Sequence, residues 1–193
     1  MSKTALLIID MQNDFVLPGS PACISGAYET IDAVKKLLDF FRITKKPIFH
    51  ITREYRNDGS DIEITRYENF IAGAKIAIPN TNGSKIIDKL QPIEGEYTII
   101  KNRFSGFMNT ELDFILRRLE ITDVIICGTQ YPNCIRATAY DSISYGYKTK
   151  IIKDATSAAN KEIAEANITD LQNVGIPCIT INEFIKASEK FYD

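Results

Sequence analysis

Gly128-Thr129-Gln130-Tyr131-Pro132-Asn133-Cys134-Ile135-Arg136-Ala137-Thr138-Ala139 is the stretch whose reading decides the fold. The run before it, Val124-Ile125-Ile126-Cys127, is wholly apolar and reads as a buried strand ending at Gly128. A tight turn follows, and Cys134 opens a helix whose apolar side includes Ile135, Ala139 and Ile143. A cysteine at a helix N-terminus faces unpaired backbone N–H groups and the positive end of the helix dipole, which favour thiolate over thiol. The same N–H groups suit the oxyanion formed when a thiolate attacks a carbonyl. Free cysteine is also among the most buried residue types, so Cys134 reads either as a nucleophile or as packing in a strand–helix turn.

Two other segments bear on that choice. Ala5-Leu6-Leu7-Ile8-Ile9 is an apolar strand followed at once by Asp10-Met11-Gln12-Asn13-Asp14-Phe15. Tyr97-Thr98-Ile99-Ile100 is another, followed by Lys101-Asn102-Arg103-Phe104-Ser105-Gly106-Phe107. A charged residue directly after a buried strand stands at its carboxyl end, where open α/β sheets place their ligands. Each such end alone reads equally as a cap or a surface charge. Together they offer a base, a cation and a nucleophile, which are complementary roles in acyl chemistry.

Apolar runs alternate with helical patterns along the rest of the chain. Residues 30–43 place Ile31, Val34, Leu37, Leu38 and Phe41 on one helical face, and 47–51 form a second strand. Residues 53–82 are polar and irregular and read as a long substrate loop, with a short helix expected over 84–90. Asn109-Thr110-Glu111 precedes a helix bearing Leu112, Ile115, Leu116 and Leu119. Strands over 148–152 and 177–181 flank a helix over about 161–174. This alternation implies right-handed parallel crossovers and a three-layer α/β/α sandwich.

The 193 residues suit a single domain over 1–193, and 45% hydrophobic with 25% charged residues is ordinary for a globular chain. A net charge of −2 with interspersed signs argues against nucleic-acid or anionic-membrane partners. No apolar run approaches the roughly 20 residues that span a bilayer. Five apolar residues between Lys3 and Asp10 are too few for a secretory signal. Four cysteines without CxxC or zinc spacing, two of them inside strand-like runs, point to a reduced, cytoplasmic protein.

The three motifs, in this order and covering residues 3–181, resemble the Asp–Lys–Cys triad of the isochorismatase-like cysteine hydrolases, which include nicotinamidases and N-carbamoylsarcosine amidase. That resemblance implies a six-stranded parallel sheet in the order 3-2-1-4-5-6 and a homodimer or homotetramer. It assigns Asp10 as general base and acid, Lys101 as the group that orients and balances it, and Cys134 as nucleophile. It places the oxyanion hole at the backbone N–H groups of Gln130 and Cys134, beside a cis peptide at Thr129–Gln130. It also implies a Cys134 pKa lowered by the helix terminus and Lys101. Cysteine at this position points to amide or ureido hydrolysis rather than vinyl-ether cleavage.

The chain departs from the nicotinamidase pattern at the metal. Where those proteins carry an Asp-x-His pair, this one has Thr52-Arg53-Glu54-Tyr55-Arg56, and its single histidine, His50, lies in the second strand as a core or strand-end residue. No metal and no cofactor are therefore expected. Arg53, Arg56 and Arg66 flank an acidic run, Asn57 to Glu63, which reads either as a solvated loop or as a lid with an arginine forked onto a substrate carboxylate or ureido oxygen. Of these, Arg56 and Arg66 are the candidate substrate contacts. Phe15, Phe104, Phe107 and Tyr131 adjoin the motifs and either wall a small pocket or fill the core. The expected activity is cleavage of a compact amide or ureide. A metal-free nicotinamidase-like amidase and a catalytically idle binding protein remain alternatives.

Overall fold

The computed structural model describes residues 3–189. Six parallel strands form one sheet: β1 (Thr4–Ile9), β2 (Ile48–Arg53), β3 (Tyr97–Lys101), β4 (Asp123–Thr129), β5 (Lys148–Ser157) and β6 (Cys178–Ile179). Their spatial order is β3-β2-β1-β4-β5-β6, as the family resemblance implies. The helices are α1 (Asn13–Val16), α2 (Ile31–Ile43), α3 (Ile64–Ile71), α4 (Leu112–Arg118), α5 (Arg136–Ser144), α6 (Lys161–Asn173) and α7 (Ile181–Glu189). Among the described residues no helix is long and apolar enough to cross a membrane.

Alternation along the strands divides the core in two. Leu6 and Ile8 of β1 join Val34, Leu38 and Phe41 of α2 and Phe184 of α7 on one face. Leu7 and Ile9 face the other way, with Leu116 of α4, Ile135, Ala139 of α5 and Leu171 of α6. Both faces are covered, which is why β1 and β4 are apolar at nearly every position. The order in which strands are added reverses between β1 and β4, which run parallel, and the register Ile9↔Gly128 brings their carboxyl ends together at this switch point.

Two local expectations are corrected. The second strand does not stop at residue 51: its ladder with β3 continues through Thr52↔Ile100 and Arg53↔Lys101, so Arg53 belongs to the sheet and not to the loop. Residues 84–90 hold only a single 3₁₀ turn, Asp88–Leu90, because Ile86 bridges Gln12 antiparallel and the Ile87 N–H donates to the Met11 carbonyl at 2.9 Å. The polar segment after β2 also contains a helix, α3, anchored by the buried Phe70.

Gly128 makes the close approach of β4 to β1 feasible. Its φ is +111°, and a Cβ there would lie 2.2 Å from the Ile9 carbonyl oxygen. That atom is backbone inside a sheet, so it has nowhere to move. Gly128→Ala is expected to destabilise the fold by at least about 3 kcal/mol, read as a lowered denaturation midpoint. A midpoint within about 1 kcal/mol of the parent protein would contradict this account of the turn.

Candidate active site

Asp10 follows the last residue of β1 and sits in the left-handed region, φ 51°, with its N–H bonded to the Ile51 carbonyl at 2.8 Å. A non-glycine residue in that conformation is uncommon and is held here by strand pairing on both sides. Lys101 ends β3, and its Nζ donates to Asp10 Oδ2 at 2.8 Å, both side chains being almost wholly buried. Cys134 lies in a wide π-helical turn, Tyr131–Ile135, that leads from β4 into α5. The Thr129–Gln130 peptide before it is cis.

Asp10 and Cys134 meet at a cavity of about 370 Å³, of a size suited to a small ligand, with Lys101 set behind Asp10. Asp10, Arg53 and Cys134 line its base, Thr129, Gln130 and Asn133 one polar side, and Phe15, Ala22, Ile24 and Ile76 an apolar wall. Arg66 and Cys23 complete the lining.

Burial pushes the Cys134 thiol above the usual cysteine range, the Asp10 carboxylate acts in the same direction, and Lys101 and Arg53 act against both. This corrects the expectation of a lowered value: burial of the turn, with Asp10 beside it, outweighs the cations Lys101 and Arg53. The resting sulfur is therefore biased toward the thiol form. Asp10 Oδ1 is buried and has no nitrogen or oxygen donor among the described residues, leaving it available to the thiol proton.

The other expected contacts divide. Phe15 and Arg66 line the cavity. Phe104 lies one layer back, its ring packed against the guanidinium carbons of Arg53 at 5.4 Å and Arg66 at 5.0 Å. Arg56 lies away from the cavity, in a separate surface cleft with Glu54 and Asn102. Tyr131 and Phe107 are core residues: Tyr131 is fully buried, and Phe107 packs against Tyr145 and Tyr147. Their motifs adjoin the site in sequence, but both side chains belong to the core cluster on the Leu7 and Ile9 face of the sheet. His50 is buried within the sheet and bonds Glu96 Oε2 at 2.8 Å.

The donor set does not suit a divalent cation. Arg56 cannot ligate, Glu54 lies in another cleft, and among the described residues no three His, Cys, Asp or Glu side chains are grouped to hold a metal.

The residue that sequence reasoning placed in the loop is Arg53. It is 1% exposed, and its Nη2 donates to Cys134 Sγ at 3.0 Å and to the Arg103 carbonyl at 3.1 Å. Its Nη1 donates to Glu63 Oε1 at 2.7 Å and to the Tyr55 hydroxyl. Burial alone would lower the Arg53 pKa, but Cys134, Asp10, Tyr55 and Glu63 more than offset it. The signal was available in principle: Arg53 is the charged end of an apolar strand, like Asp10 and Lys101.

Gln12 holds this strand end. Its Oε1 accepts from the Arg53 N–H at 2.7 Å, and its Nε2 donates to the carbonyls of Arg53 at 2.9 Å and Ser84 at 2.8 Å.

Comparison with known proteins places these residues in context. The isochorismatase domain model matches residues 4–183. A protein of Arabidopsis thaliana named as a probable inactive nicotinamidase is 36% identical, with 94% of each chain covered. The crystal structure of an isochorismatase family protein from Desulfovibrio vulgaris superposes with a TM-score of 0.94 at 41% identity, covering 98% of this chain and 100% of that one. N-carbamoylsarcosine amidase from Thermoplasma acidophilum gives a TM-score of 0.78 at 27% identity, covering 92% and 96%.

Gln12→Ala is expected to cost about 2–4 kcal/mol, because it leaves the Arg53 N–H and two carbonyls buried without partners. Chemical denaturation checks this. A change below about 0.5 kcal/mol would mean the strand end is held by other contacts.

Proposed function

The chain belongs to the isochorismatase family, and from that membership we propose that it hydrolyses the C–N bond of a compact amide or ureide through a Cys134 thioester. The observation that carries this reading is that Asp10 and Cys134 line one cavity while Lys101 holds Asp10 from behind at 2.8 Å. In the first step Cys134 Sγ bonds to the carbonyl carbon while its proton passes to Asp10. The oxyanion is held by the backbone N–H groups of Gln130 and Cys134. Collapse breaks the C–N bond, and Asp10 returns the proton to the leaving nitrogen. Water then adds to the thioester, giving its proton to Asp10. Expulsion of the sulfur frees the acid and restores the thiol. Lys101 fixes the Asp10 carboxylate throughout.

Arg66 is the residue we assign to substrate selection. It lines the cavity, it is partly exposed, and its ion pair with Glu63 is long, 4.0 Å. A polar or anionic group on the substrate suits this cation, and the kinship with an N-carbamoylsarcosine amidase supports a ureido or carbamoyl compound. The name of the Arabidopsis relative favours a second reading, a binding protein without turnover. Retention of base, cation and thiol in one cavity supports the enzyme.

An ammonia-release screen over ureido acids, carbamoyl amino acids and nicotinamide separates these readings. The parent protein is expected to release ammonia from a ureido or carbamoyl acid, and Cys134→Ala to lose at least about a thousandfold in kcat with its fold retained. Turnover by Cys134→Ala within tenfold of the parent would sink the covalent route, and no turnover on any of them would favour the binding protein.

Arg66→Ala is expected to lower kcat/KM for a carboxylate-bearing substrate at least about tenfold more than for its neutral analogue, the effect being moderated by solvent screening at this partly exposed side chain. Equal losses on the two substrates would remove Arg66 from recognition.

A further inference from the structure

We propose that Arg53 is a further catalytic residue, its buried guanidinium serving as the counter-ion of the Cys134 thiolate. The inference rests on the reading of Cys134 as nucleophile and adds to it a group that touches the reacting atom.

Lys101 and Arg53 are both cations at this site, but they face different acceptors. Lys101 Nζ donates to Asp10 Oδ2 at 2.8 Å, whereas Arg53 Nη2 donates to Cys134 Sγ at 3.0 Å. Arg53 Nε is also 3.8 Å from Asp10 Oδ2. When the thiol proton moves to Asp10, negative charge leaves the carboxylate paired with Lys101 and appears on a sulfur paired with Arg53. A group that meets charge where it develops lowers the barrier, since it binds the activated state more tightly than the resting one.

The guanidinium cannot turn away from the sulfur. Glu63 and Tyr55 hold Nη1, the Arg103 carbonyl takes one Nη2 donor, and Gln12 fixes the backbone on both sides. Tyr55 and Phe104 rings lie 5.3 and 5.4 Å from the guanidinium carbon. This is a preorganised and buried donor, and a fixed charge acts more strongly there than in open water.

Charge balance distinguishes this role from a structural one. Cys134 is faced by Asp10 from β1, Arg53 from β2 and Lys101 from β3, with Glu63 and Tyr55 of the following loop behind Arg53. Removing the Arg53 charge disfavours the thiolate. Removing the Glu63 charge leaves Arg53 less compensated and favours it. A merely structural Arg53 predicts that both changes loosen the site and expose the sulfur alike.

The test is iodoacetamide alkylation of the substrate-free protein across pH, with Cys134 resolved from Cys23 by peptide mass spectrometry. Arg53→Gln is expected to slow Cys134 alkylation at pH 8 at least about tenfold, one pKa unit being a tenfold change in thiolate fraction. Glu63→Gln is expected to quicken it. Unchanged or faster alkylation in Arg53→Gln overturns the proposal. Should circular dichroism show that Arg53→Gln does not fold, Glu63→Gln decides alone, and an unchanged or slower rate overturns it. Because alkylation needs no substrate, failure here is distinct from failure of the amidohydrolase reading, which the ammonia screen reports.

Discussion

Burial of charge is the constraint on which this structure turns. Removing an ion from water costs several kcal/mol even after relaxation, so ionised groups survive in a sheet interior only when partners are already in place. Lys101, Arg53, Asp10 and Cys134 come from β3, β2, β1 and the turn after β4. Those strands are consecutive neighbours in the sheet, so four chain segments far apart in sequence deliver their end groups side by side. With Glu63 reaching Arg53 from the loop, two cations face two carboxylates around a neutral thiol. Sheet order is thus the device that balances the site.

The loop between β2 and β3 is tied to the same cluster. Tyr55 hydroxyl donates to Glu63 Oε2 at 2.5 Å, and burial, which alone would raise Glu63, is outweighed by Arg53 and Tyr55, so its carboxyl is held low. Asp14 accepts the Ala77 N–H at 2.7 Å, which pins the far side of the loop to α1. Phe104 packs beneath both Arg53 and Arg66, the one buried against the sulfur and the other opening on the cavity. The loop that carries Arg66 is therefore anchored through the guanidinium that faces Cys134.

How much of this was legible follows from what each signal depends on. Doubly covered parallel strands read as continuous apolar runs, so β1 and β4 and the α/β class stood out from local composition. Asp10 and Lys101 were legible because each follows such a run without a break. Arg53 follows Ile51-Thr52, and the threonine, with the polar segment beyond, reads as loop; only the ladder to β3 shows it to be strand. Tyr131 and Phe107 were beyond reach for another reason. Their facing depends on the path of a turn, which neither spacing nor residue type specifies.

A thiol raised by burial and a nucleophilic cysteine are compatible once the base is adjacent. A strongly acidic thiol is ionised at rest, but its thiolate is a weaker nucleophile, because nucleophilicity falls with pKa. It is also the form that oxidants attack. On the proposed mechanism the proton stays on sulfur until Asp10 takes it, and the anion then formed faces the Arg53 guanidinium that lies 3.0 Å from Sγ. Moving one proton between two groups of the cluster leaves its total charge unchanged, so the surrounding structure has no net charge to accommodate during activation. On that proposal the site keeps its sulfur protonated at rest and still frees it to attack a carbonyl that enters the cavity.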